Sequence, residues 1–129
     1  MDGHPGHDSH DTTDPGVLPG LFAMLGPRVA AELQQHFGTD LRKVRDLLGA
    51  AIGPPCDLTA VARQAHVLVA LAGTVGAGGL AALARRLLHA ATQGDAGTCG
   101  RALRDILPRI DALLAFVAVC PLPADRSLP

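Results

Sequence analysis

Six histidines and three cysteines are the side chains of this 129-residue chain most ready for chemistry, and one of them sits in unusual surroundings. His66 lies in residues 57–93, DLTAVARQAHVLVALAGTVGAGGLAALARRLLHAATQ, a run dominated by apolar and small residues. The run reads as two helices joined at a glycine-rich turn. Leu58, Val61, Ala65, Leu68, Ala72 and Val75 recur at three- and four-residue steps, the mark of one buried stripe. At about 100° per residue, His66 points well away from that stripe. It shares a face instead with Thr59, Ala62, Arg63, Val69, Ala70 and Gly73, most of them small. An imidazole placed there stands proud of the helix and can be approached by another protein.

The other reactive side chains have blander readings. His36 and His89 fall on other helices without matching surroundings and read as surface or boundary residues. His4, His7 and His10 repeat every third residue among carboxylates. They can capture a divalent metal such as nickel, copper or zinc, or simply belong to a solvated tail whose ligands would bear the full ordering entropy. Cys56, Cys99 and Cys120 are odd in number and lack C-x-x-C spacing. With no signal peptide ahead of them, they read as apolar filler in a reducing cytoplasm. No nucleophile–base–acid arrangement and no H-E-x-x-H is present, and the glycines of residues 73–79 lack the strand and lysine of a phosphate loop.

The helices that must position His66 follow from periodicity. Residues 1–16 are polar, acidic and rich in Gly, Pro and His, the composition of a disordered tail. Residues 17–25 form a short helix expected to turn Leu21, Phe22 and Leu25 inward, broken by Gly26-Pro27. Residues 28–51 carry Ala30, Leu33, Phe37, Leu41, Val44, Leu48 and Ala51 on one face, as one helix bent at Gly38 or as two. Residues 52–56 connect, and Asp57 is the expected N-cap of the His66 helix. After the glycine turn a helix to Gln93 points Leu80, Leu83, Leu87 and Ala91 inward, and Gly94-Asp95 turns and caps. Residues 96–119 bury Leu103, Ile106, Ile110, Leu113 and Val117, with a kink expected at Pro108. The fold class is all-α: an antiparallel four-helix bundle over residues 17–120, with a short extra N-terminal helix and a C-terminal tail, 121–129.

Charge and composition exclude several roles. The formal charge of −1 divides into four acids and no base in residues 1–16, then eight acids and eleven bases beyond them. A bundle of about +3 suits an acidic partner surface but is no nucleic-acid footprint, and without Trp or Tyr there is no platform for stacking bases. Residues 64–84 contain no Asp, Glu, Lys or Arg. Their four glycines and one-sided apolar pattern favour a core hairpin over a membrane span.

The order His66, Leu68, Gly73, Gly76, then Leu80 and Leu83, resembles the histidine-phosphotransfer (HPt) domain, whose signature runs roughly H-x-L-K-G-x-x-G-x-x-G-x-x-x-L. Asp57, nine residues before the histidine, and Gly94-Asp95 after the second helix also sit where that family commonly has them. The resemblance covers residues 17–119. Two departures stand out: Val69 and Ala70 replace the family's lysine and glycine, and Leu88 stands where members carry glutamine or glutamate.

The resemblance implies a phosphate carrier rather than a kinase. His66 would accept a phosphoryl group from the aspartate of a response-regulator receiver domain, or from a hybrid histidine kinase, and relay it in a bacterial, cytoplasmic two-component pathway. An exposed neutral imidazole is nucleophilic without an activating base. The carrier would need no cofactor of its own, Mg²⁺ coming with the receiver. Arg63, or less directly Arg85, would supply the cation that Val69 does not. Val69, Ala70 and Leu88 would form an apolar collar around His66, with Ala62 and Gly73 completing a partner surface on a monomer. The alternatives are an interaction module of the same fold that carries no phosphate, and metal handling by the histidine tail.

Overall fold

The computed structural model describes residues 13–124. Five helices account for most of them: α1 (Val17–Leu25), α2 (Pro27–Ala51), α3 (Leu58–Thr74), α4 (Gly78–Thr92) and α5 (Ala96–Val119). Helix α2 packs on α3, α3 on α4, α4 on α5 and α5 back on α2, closing an antiparallel ring of four to which α1 adds through α2. Of all these pairs α3 and α4 are joined most extensively. The reason is side-chain size: Ala65 and Ala72 of α3, and Ala81 and Ala84 of α4, are at most 2% exposed, and alanine lets two helix axes approach closely.

Periodicity locates nearly all of the core. Val61, Ala65, Leu68, Ala72 and Val75 are buried, as are all five expected residues of α5. Two expectations need correction. In α1 the buried pair is Leu18 and Phe22; Leu21 packs half-buried against the core as expected, but Leu25 is 38% exposed, because the chain turns at Gly26 as soon as Leu25 is passed. In α4 the inward position belongs to Ala84, and Leu83 lies half-buried at the edge of the seam. Helix α2 runs unbroken through Gly38. Helix α5 likewise continues through Pro108, which is exposed.

Helix ends are set by a few polar atoms. Asp57 caps α3 by accepting from the Ala60 amide at 3.0 Å, and Asp95 caps α5 by accepting from the Thr98 amide at 3.0 Å and the Thr98 hydroxyl at 2.6 Å. At the far end of α5, Gln34 Nε2 donates to the carbonyls of Val117 (2.8 Å) and Cys120 (3.0 Å), supplying donors that a helix C-terminus lacks. Helices α3 and α4 both end in Schellman motifs. Ala77 N donates to Ala72 O and Gly76 N to Gly73 O; Asp95 N donates to Ala90 O and Gly94 N to Ala91 O. Gly76 and Gly94 hold the left-handed positions, at φ +83° and +77°.

The Thr98 bonds hold the Asp95 carboxyl below the ordinary aspartate range. A carboxylate whose folded pKa is depressed contributes stability above its unfolded pKa and loses it as pH falls through the folded one. Asp95→Asn, which keeps a cap acceptor but cannot ionise, should therefore flatten the acid-range loss of helicity below about pH 4. Circular dichroism followed during acid titration checks this, and an unchanged acid limb would refute the assignment.

Residues 13–16, whose composition reads as tail, are tied to the bundle. Asp14 N donates to Gly76 O at 2.9 Å, and Asp14 Oδ1 accepts from Gly16 N at 3.0 Å. Residues 1–12, and with them His4, His7 and His10, lie outside the described residues, as do residues 125–129.

Candidate functional site

His66 sits midway along α3, nine residues after the Asp57 cap and ten before the Gly76 turn. Capping at one end and the Schellman closure at the other hold its turn of helix in place, while Ala65 and Leu68 on either side are fully buried. The imidazole itself is exposed, and among the described residues it has no hydrogen-bond partner. It is a free nitrogen nucleophile presented on a rigid element. Among the described residues no carboxylate or second histidine is hydrogen-bonded to it as a base.

The surrounding residues divide by depth. Arg63, Ala70 and Gly73 are exposed. A Cβ added at Gly73 would meet nothing within 4 Å, so two turns beyond His66 the helix surface is bare. Ala62 and Val69 are half-buried and packed against the core, as is Leu88 on α4. The apolar collar is therefore mostly the rim of a helix seam: Ala70 alone of its three members is exposed. A bundle helix with two neighbours buries an arc wider than its central stripe, which takes Val69 partly inside.

Arg85 is exposed on α4 and shares a shallow hollow with Arg86, His89, Ala90 and Gln93, and with Asp95 and Thr98 beyond the next turn. Sequence reasoning missed Arg86, although two adjacent arginines on a helix without acids are a visible signal; His89, expected as a surface or boundary residue, is exposed. His36 is exposed, in keeping with a surface role. Cys99 and Cys120 are buried and Cys56 is half-buried; all three are free, and burial pushes the thiols of Cys99 and Cys120 up. Protonated, enclosed thiols are poor nucleophiles. Among the described residues no group of three or more His, Cys, Asp or Glu is placed to hold a metal ion, and no helix is long and apolar enough to cross a membrane.

In chemical terms the site offers one accessible imidazole, a cation one helical turn away in Arg63, and a flat surface of small residues. Such a site can accept and release an electrophilic group that a partner brings. Comparison with protein families gives a match to the model described as Hpt domain over residues 29–116. That span includes α3, α4 and His66, and most of α2 and α5. Comparison with curated proteins and with solved structures gives no match.

Proposed function

This chain belongs to the Hpt-domain family, and from that premise we propose that it relays a phosphoryl group through His66, taking it from a receiver-domain aspartate or a kinase histidine and passing it on. The observation that carries the reading is the exposed, unpartnered imidazole of His66 at the motif's histidine position, on the bare face running to Gly73. An imidazole nitrogen lone pair attacks the phosphorus of an aspartyl phosphate. The N–P bond forms as the P–O bond to the carboxylate breaks, the carboxylate leaves with the electron pair, and the ring's other nitrogen can release its proton to water. Transfer onward is the reverse step on a second aspartate. On this reading the protein is a monomeric cytoplasmic carrier without its own cofactor, and Mg²⁺ comes with the receiver.

Arg63 is assigned the cation's role, neutralising phosphoryl charge that Val69 cannot. Arg63→Ala should slow transfer by about 1 kcal/mol, roughly fivefold, the contact being exposed and solvent-screened. Val69→Lys should maintain or raise the rate, because a lysine stem can lie along the half-buried seam with its ammonium group in water. Rapid-quench transfer from a phosphorylated receiver measures both, and an Arg63→Ala rate equal to wild type would remove Arg63 from the mechanism.

A second reading, an interaction module that binds a receiver without accepting phosphate, draws on the same departure, since Val69 packs against the core where the family has a cation. Incubation with phosphorylated receivers from the same organism separates the two. Label moving to this chain supports the carrier. Receiver binding without label, unaffected by His66→Gln, establishes the module instead.

A further inference from the structure

The ring of four helices gives the bundle opposite seams. His66 stands on α3, which joins α4 in one of them; across the ring lies the seam between α2 and α5. Two hollows open along this second seam, of about 570 and 610 Å³. Between them the Arg45–Asp111 ion pair crosses from α2 to α5 at 2.7 Å. Gly38, Ala115 and Arg42 belong to the first hollow; Gly100, Leu107 and Arg104 belong to the second.

Charge is one-sided there. No Asp or Glu lines either hollow, whereas Arg42, Arg101 and Arg104 do. Arg45 is held by Asp111 and Asp46, and Arg101 donates to the Thr98 hydroxyl beside the Asp95 cap. The guanidinium groups of Arg42 and Arg104 have neither an ion pair nor a hydrogen bond among the described residues. The floor is also barer than the bundle needs. A glycine inside a helix is destabilising relative to alanine, yet a Cβ at Gly100 would meet nothing within 4 Å. At Gly38 the Arg42 side chain lies over the backbone, its Nη1 3.4 Å from where a Cβ would stand.

We propose that the α2–α5 seam seats an acidic amphipathic helix of a partner protein, its apolar side chains in the two hollows and its carboxylates on Arg42 and Arg104. A second seam of this kind would set arginines against arginines, so charge selects an acidic occupant over another copy of the chain. Arg42 precedes Arg45 by three residues, and Arg104 precedes Asp111 by seven. Because α2 and α5 run antiparallel, the two cations fall on opposite sides of the crossing, roughly 15 Å apart along the seam. The matching acids therefore stand about ten residues apart on one face of the partner helix. A partner held there leaves the α3 surface around His66 open, so one flank anchors the bundle while the other meets a second protein. The docking holds whether or not His66 carries phosphate, so it does not rest on the relay.

Amide chemical shifts of the full chain test this, with a helical peptide of about twenty Leu, Ala and Glu residues as probe and the same peptide with Lys for Glu as its control. The expected result is shifts at Gly38, Arg42, Gly100 and Arg104 with the glutamate peptide, lost at about 0.5 M NaCl, with His66 and Gly73 unmoved and no response to the lysine peptide. Arg42→Glu/Arg104→Glu should weaken binding about tenfold or more while the chain stays folded. Gly100→Leu, whose side chain enters open space, should weaken it as well. Absence of seam shifts, shifts centred on α3 and α4, or undiminished binding by Arg42→Glu/Arg104→Glu would overturn the proposal. An equal response to unstructured polyglutamate would overturn the helical occupant. Seam shifts that grow with protein concentration in the absence of peptide would replace the partner by a second copy of this chain.

Discussion

Replacing His66 by glutamine should drop phosphoryl labelling at least about a thousandfold, to background, because the variant has lost the only nucleophile of the site. The fold should not notice. His66 is exposed, has no hydrogen-bond partner among the described residues, and supports no core packing, so the change in unfolding free energy should stay within about 0.5 kcal/mol. Label on the wild-type chain should be lost in acid and kept in base, as an N–P bond requires, whereas an acyl phosphate on aspartate is lost in base. His36→Gln and His89→Gln, also at exposed positions, should label normally. Label that persists on His66→Gln, or base-labile label on wild type, would move the chemistry to another residue.

That experiment is well posed because the exposure of His66 was legible in one sequence. A stripe stepping by three and four leaves little doubt about which side of α3 is buried, and the imidazole lies some 140° from the stripe's centre. Asp57 and Asp95 were equally legible, since a carboxylate just before an apolar periodic run has an orphan amide to accept from. Face assignment failed where every residue is apolar: in α1 nothing polar marks the solvent side, so Leu25 was placed inward and the fully buried Leu18 was passed over. It failed again in α4, where close helix approach selects Ala84 over the larger Leu83. Periodicity weighs hydrophobicity and is blind to the space between axes. The attachment of Asp14 left no trace for a different reason, because a backbone amide bonded to a backbone carbonyl has no side-chain signature. Its one sequence correlate is Gly76, whose need for glycine becomes intelligible only in three dimensions.

Two glycines three residues apart in the same motif should answer alanine substitution with opposite signs. Gly76 has φ +83°, where an alanine is strained by about 1 kcal/mol. A Cβ there would also lie 2.8 Å from Val17 Cβ, 2.9 Å from Val17 Cγ2 and 3.2 Å from the Asp14 carbonyl oxygen. Val17 Cβ is bound directly to the backbone and Asp14 O belongs to it, so relief requires moving the start of α1 and loosening the Asp14–Gly76 hydrogen bond. Strain and displacement together should cost about 2–4 kcal/mol, lowering the melting temperature by roughly 10 °C or more in a domain of this size. Gly73 lies in the last turns of α3 with open space around a new Cβ. Gly73→Ala should leave stability unchanged or raise it by up to about 1 kcal/mol. Its effect belongs to function instead: the added methyl stands on the bare surface beside His66 and should weaken receiver docking in a protein that melts no lower than wild type. Thermal unfolding of the two variants, with transfer measured well below either transition, distinguishes the roles. Equal melting temperatures for both would mean that the Val17 contact does not constrain Gly76. A Gly73→Ala protein that docks and transfers like wild type would mean that partners do not use the face running from His66 to Gly73.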